Sequence, residues 1–206
     1  MLDGIKNSYI LEKVFHYLSS GTMLRFVHHK RKLQKKLRLR IKDFQRYSNQ
    51  IVIDIVPDPA FPFVSTIINL VGNPSAFHIY FNEEVKEKKR NYIFGEKVQK
   101  IRVIIEEDKE MKSLKGLFTS CFITREINFI KFNKRDITDM SDMFQDCNNL
   151  IKLDISKLKT DSVTTMENMF KGCSKLETIN LSNLKTDNVT NMKGMFQECE
   201  QLIKLI

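Results

Sequence analysis

Cys121, Cys147, Cys173 and Cys199 stand 26 residues apart, and each carries the same neighbours at the same offsets. Met143, Met169 and Met195 fall in one column and Phe144, Phe170 and Phe196 in the next. Leu150, Leu176 and Leu202 align, as do Leu153, Ile179 and Leu205; Ile137, Val163 and Val189; and Met140, Met166 and Met192. Self-similarity at a fixed period in the twenties predicts coils that stack on one another, because a lone unit buries only one side of its apolar layer. Cysteines placed once per unit read as small buried residues of such a stack rather than as disulfide partners or metal ligands.

The same register reaches one unit further back, through Met111, Leu114, Leu117, Phe118, Cys121, Ile127 and Phe129. This unit departs at Thr124, where the others have Leu. Before it, "KVQKIRVIIEED" matches only the second half of a unit and reads as a cap. Within a unit, Val163, Met166, Met169, Phe170 and Cys173 predict one face of a short helix, and the alternation in "LETINL" predicts a strand. Thr160, Asp161, Thr186 and Asp187 sit where short oxygen-bearing side chains cap a helix start. The expected fold is α/β: a leucine-rich-repeat-like solenoid of 26-residue helix-turn-strand units with a parallel sheet. The expected divisions are a basic helical segment over residues 1–50, a β-containing, Pro-rich connector over 51–95 and the solenoid over 96–206. The solenoid comprises a cap (96–110), units 111–136, 137–162 and 163–188, and an incomplete unit 189–206.

The stretch "VTTMENMFKGCSKLETINLSNLKTDNVTNMKGMFQECEQL" resembles the BspA-type leucine-rich repeat, whose units read roughly V-T-x-M-x-x-M-F-x-x-C-x-x-L-x-x-L-x-L-S-x-x-x-T. The resemblance covers about residues 111–206 and implies a leucine-rich-repeat-like solenoid with a binding role. Many members of that family are surface or secreted proteins, whereas the N-terminus here carries Asp3, Lys6, Glu12 and Lys13 where an export signal needs an unbroken apolar core. The reading is therefore a cytoplasmic protein with no transmembrane segment, since the longest apolar runs fall well short of the roughly 20 residues that span a bilayer.

The chain's formal charge of +9 is concentrated over residues 21–50, which hold ten Lys or Arg against Asp43. Two helical patterns are expected here. Ile10, Val14, Phe15 and Leu18 form one apolar stripe, and Phe26, Leu33, Leu37, Ile41 and Phe44 the other. The spacing in "ILEKVFHYL" and "LRFVHHKRKLQKKL" is faintly similar to an F-box, which implies a substrate adaptor of a ubiquitin ligase. Arg25, Lys30, Arg31, Lys32, Lys35, Lys36, Arg38, Arg40 and Lys42 form a basic patch. Such a patch can neutralise phosphates of a nucleic acid, an acidic partner or an anionic membrane surface. The solvated face of a packed helix is the plainer reading, because Phe26 and Phe44 lie on the apolar stripe and no nucleic-acid motif accompanies the charge. Beyond residue 50, "IVIDIV", "AFHIYF", "NYIF" and "KIRVII" read as strands, with all four prolines between positions 57 and 74.

Nothing points to catalysis. His16, His28, His29 and His78 form no metal-binding pattern, and no phosphate-cradling glycine loop occurs among seven glycines. Neither metal nor cofactor is expected, and the methionine columns read as core rather than as thioether ligands. The leading expectation is a non-enzymatic scaffold that binds a protein partner of unspecified identity. In a parallel stack, residues flanking the buried strand positions face outward together, which selects Glu126, Asn128, Lys152, Asp154, Thr178, Asn180 and Lys204. The final "QLIKLI" falls inside a strand pattern, so the open apolar edge is a candidate for self-association.

Overall fold

A computed structural model describes residues 49–60, 64–82, 84, 86–94, 97–106 and 110–205. Both N-terminal helical patterns and the F-box-like spacing lie outside these residues. The elements are β1 (Ile51–Pro57), β2 (Ser65–Thr66), a 3-10 turn (Pro74–Ala76), β3 (Phe77–Phe81), β4 (Tyr92–Ile93) and β5 (Ile101–Ile105), followed by β6 (Thr124–Phe132), β7 (Lys152–Asp154), β8 (Thr178–Ile179) and β9 (Lys204–Leu205).

The largest sheet has five strands in the order β3-β5-β1-β6-β7. Its β3–β5, β5–β1 and β1–β6 pairs are antiparallel, and β6–β7 is parallel. Ile53 pairs with Val103, and Val103 with Ile79, so alternate residues of three strands face one side. That side is the core: Ile51, Ile53, Ile55, Ile79, Ile101 and Val103 share one apolar cluster with Leu114, Phe118, Phe144 and Phe170 of the repeats. Strands β1 and β3 of the 51–95 connector and β5 of the cap therefore complete a sheet begun by the first repeat. β2 pairs with β4 and β8 with β9 in separate two-stranded sheets.

The expected helix-turn-strand solenoid with a parallel sheet is not what forms. Among the described residues there is no α-helix, and the main sheet is mixed. The apolar half of each repeat is a run of tight turns, and its hydrogen bonds show why. The N–H groups of Met140, Asp142, Phe144 and Asp146 donate to the carbonyls of Thr165, Glu167, Met169 and Lys171, each in the next coil. A helix would direct every N–H back along its own chain. Here alternate groups run between coils, and those of Gln145 and Cys147 close turns on Asp142 and Phe144. Each coil also holds two residues at positive φ, four positions apart, as at Asp142 and Asp146 or Asn168 and Gly172. Such residues end a right-handed helix. Turns closed across three residues bring every third or fourth side chain to the same side, so they leave the same apolar spacing as a helix.

Stacking repeats the same contact down the chain. The rings of Phe118, Phe144, Phe170 and Phe196 lie nearly parallel, with centroids 5.5, 5.6 and 5.4 Å apart in succession. Cys147 Sγ donates to Phe118 O at 3.0 Å, Cys173 Sγ to Phe144 O at 3.2 Å and Cys199 Sγ to Phe170 O at 3.0 Å. Thr160 does not cap a helix. Its hydroxyl donates to Lys185 O at 2.9 Å and accepts from Lys185 N at 2.8 Å, tying one coil to the next.

Candidate functional site

Glu126, Asn128, Lys152 and Asp154 sit where the repeat stack joins the five-stranded sheet, and Thr178, Asn180 and Lys204 lie on or beside the separate β8–β9 pair. β6 and β7 pair with Glu126 beside Lys152, Ile127 beside Leu153 and Asn128 beside Asp154, and β8 pairs with β9 with Thr178 beside Lys204. Ile127, Leu153 and Ile179 point into the core, so their flanking residues point out. Lys152, Asp154, Thr178, Asn180 and Lys204 are exposed, whereas Glu126 and Asn128 are half-buried. The cause lies in the mixed sheet: β1 runs along the other edge of β6, with Asp54 beside Asn128 and Val56 beside Glu126. The seven residues thus divide into five open ones and two at a margin shared with the antiparallel strands.

Local bonds fix part of this face. Lys152 Nζ lies 3.2 Å from Glu126 Oε1. Asp154 Oδ1 accepts from Ser156 N, and Asn180 Oδ1 accepts from Ser182 N, both at 2.9 Å. These Asx turns hold the two side chains at the strand exits while leaving the second carboxylate oxygen of Asp154 and the amide nitrogen of Asn180 available. On the return segment, Lys185 pairs with Asp161 and holds its carboxyl below the usual range.

The thiols are built for packing. Cys121, Cys147 and Cys173 are buried and free, and Cys199 is free and partly buried. Burial pushes the Cys121 thiol up to about 12 and raises the other three as well. A nucleophilic or metal-binding cysteine needs the thiolate, which such surroundings oppose. Met140, Met143, Met166 and Met169 are fully buried in the same interior. Among the described residues, no three His, Cys, Asp or Glu side chains converge so as to hold a metal ion, and no helix is long and apolar enough to cross a membrane.

The nine basic-patch residues from Arg25 to Lys42 lie outside the described residues. Two polar groups that repeat reasoning missed lie on the sheet. Asp54, in the middle of the otherwise apolar β1, takes Arg102 on both carboxylate oxygens, at 2.6 and 2.7 Å, with Lys100 Nζ at 3.1 Å from Oδ2. Its signal was legible, since a carboxylate within "IVIDIV" requires a cation on a neighbouring strand. His78 on β3 stands between Glu87, 3.2 Å from Nδ1, and Glu106, 3.6 Å from Nε2. The Glu106 contact leads in raising its pKa above the ordinary imidazole value, against the opposing effect of burial.

Residues 112–206, somewhat under half of the chain, are similar to a family described as a Mycoplasma protein of unknown function, DUF285. No curated protein and no solved structure matches the chain.

Proposed function

We propose that the chain is a non-enzymatic scaffold that binds a protein partner through Lys152, Asp154, Thr178, Asn180 and Lys204, with Glu126 and Asn128 at the margin of the contact. One observation carries this reading. Inward positions keep one residue type from coil to coil, as in the Phe and Cys columns, while the outward positions beside them change among acid, base, amide and hydroxyl. Recurrent interior residues maintain the stack, and changeable exterior ones can specify what it touches. The free, buried thiols accord with a reducing, cytoplasmic setting. The ligase-adaptor and nucleic-acid readings depend on residues 1–48, and no observation on the described residues favours either.

The test is charge reversal on the exposed face. A partner is recovered with the wild-type chain and purified, and its affinity is measured for Lys152→Glu combined with Asp154→Lys. The expected result is binding weakened by about tenfold or more, the effect of losing one well-placed charged contact. Unchanged affinity, with unchanged urea unfolding, rejects the face.

A further inference from the structure

The β3, β5 and β1 portion of the five-stranded sheet is buried on both sides near its centre. Opposite the shared core, Val52, Tyr80 and Ile104 form a second apolar cluster of their own, with exposures of 1%, 1% and 0%. Val52 and Ile104 are direct cross-strand partners, and Tyr80 sits beside Arg102 on the adjoining strand. Asp54 on the same central strand and Gln50 just before it are also buried. Tyr80, Arg102 and Glu106 each make interactions beyond those described above. A sheet face left to water would be polar and exposed. This one is apolar at its centre and covered, yet no other apolar side chain among the described residues belongs to the cluster.

We propose that residues 1–48 of the same chain are what covers it. They lead straight into β1, the central strand, and Val52 is its second residue, so they begin at the edge of the patch. They supply apolar side chains throughout, including Phe15, Phe26, Leu33, Leu37, Ile41 and Phe44, in a segment that is otherwise strongly basic. Glu87 and Glu106 beside the face, besides their contacts with His78, carry carboxylates that a basic segment can approach. No particular secondary structure is required. The consequence is a division of labour between the antiparallel strands and the strands of the later coils. The β3, β5 and β1 portion is closed by the chain's own N-terminal part, and the portion from β7 onward is left for a partner.

The test uses the full chain with the photo-reactive residue benzoylphenylalanine at position 80, irradiated at high dilution and mapped by peptide mass. Cross-links from position 80 to residues 1–48 of the same chain are expected. Cross-links to an isotopically distinct second copy, or only to residues 49–206, would overturn the proposal. Trypsin cleavage within 25–46 gives a measurement on the unmodified chain. It should be slower, by about tenfold or more, than on a free peptide of residues 1–48, and Ile104→Lys should abolish the difference. Cleavage of the wild-type chain at the free-peptide rate would equally overturn it.

Discussion

The antiparallel strands and the stacked coils reach the same dry interior by opposite routes. In β1, β5 and β3 the partners come from distant parts of the chain, and β-branched residues meet across the sheet, as with Ile53, Val103 and Ile79. In the coils the same contacts recur at a fixed interval: Phe rings stack on one another, and each thiol from Cys147 on meets the carbonyl of the Phe in the preceding coil. β6 belongs to both systems: it pairs antiparallel with β1 and parallel with β7. The lesson is that the repeats are anchored on a sheet of different design through one shared strand and one continuous core.

That junction makes the comparison breakable. Phe144→Ala removes a fully buried ring from the stack, and Ile53→Ala a fully buried side chain from the sheet. The first should cost about 3–5 kcal/mol and the second about 2–5 kcal/mol. Because both residues lie in one cluster, each variant should shift a single urea transition measured by any probe. Two transitions, with one unmoved by a given substitution, would show that sheet and stack are separate folding units.

The two routes also differ in how far the sequence discloses them. Recurrence of Met143, Phe144, Cys147 and Leu150 marked the buried positions of the coils up to residue 188, since a periodic chain writes its contacts at one spacing. In the last coil Met195, Phe196, Cys199 and Leu202 are only partly buried and Met192 is exposed. Recurrence could not separate a helix from a chain of turns, because both return side chains to one side every third or fourth residue. The discriminating signal lay in two other columns: Gly116, Asp142, Asn168 and Gly194, and Ser120, Asp146, Gly172 and Glu198, all at positive φ. Glycine, Asn and Asp, which predominate there, are the types that tolerate that conformation. The mixed sheet was illegible for another reason. The alternation in "IVIDIV" announces a strand but says nothing of which distant strands it will join.

Those columns sharpen the comparison within the stack. Gly172 has φ 72, and a Cβ there would meet Asp146 Oδ1 at 2.4 Å; at Gly116 the nearest atom would be Thr119 Oγ1 at 3.2 Å. Gly172→Ala should lose about 1–2 kcal/mol from the left-handed backbone, with a further cost for moving the carboxylate. Gly116→Ala should lose less. Urea midpoints of the two variants decide it, and equal losses would mean that backbone conformation alone matters.

Thr124 marks the cost of joining the two designs. It opens β6 in the column where later coils carry Leu, is fully buried, and its hydroxyl finds no partner among the described residues. Thr124→Val keeps the shape and removes the unpaired oxygen. Stability should rise by about 1 kcal/mol, the scale of an unsatisfied buried hydroxyl. A loss on calorimetry instead would mean that the hydroxyl is satisfied, and that the first coil fits the sheet better than its sequence suggests.

The smallest effect expected separates the regions by pH. His78 is the sheet's titrating group, with Glu106 and Glu87 raising its pKa above 6.5, whereas burial has moved the stacked thiols well above their usual values. A group bound more tightly to its proton in the folded state adds stability that is fully present below its unfolded pKa. That contribution disappears as pH rises through the higher folded value. Stability should therefore fall modestly as pH climbs from about 6 through neutrality. Glu106→Gln removes the leading cause of the shift and should flatten the fall, while Phe144→Ala should lower the whole curve and keep its slope. A slope unchanged by Glu106→Gln would locate the pH dependence elsewhere and remove this electrostatic distinction between sheet and stack.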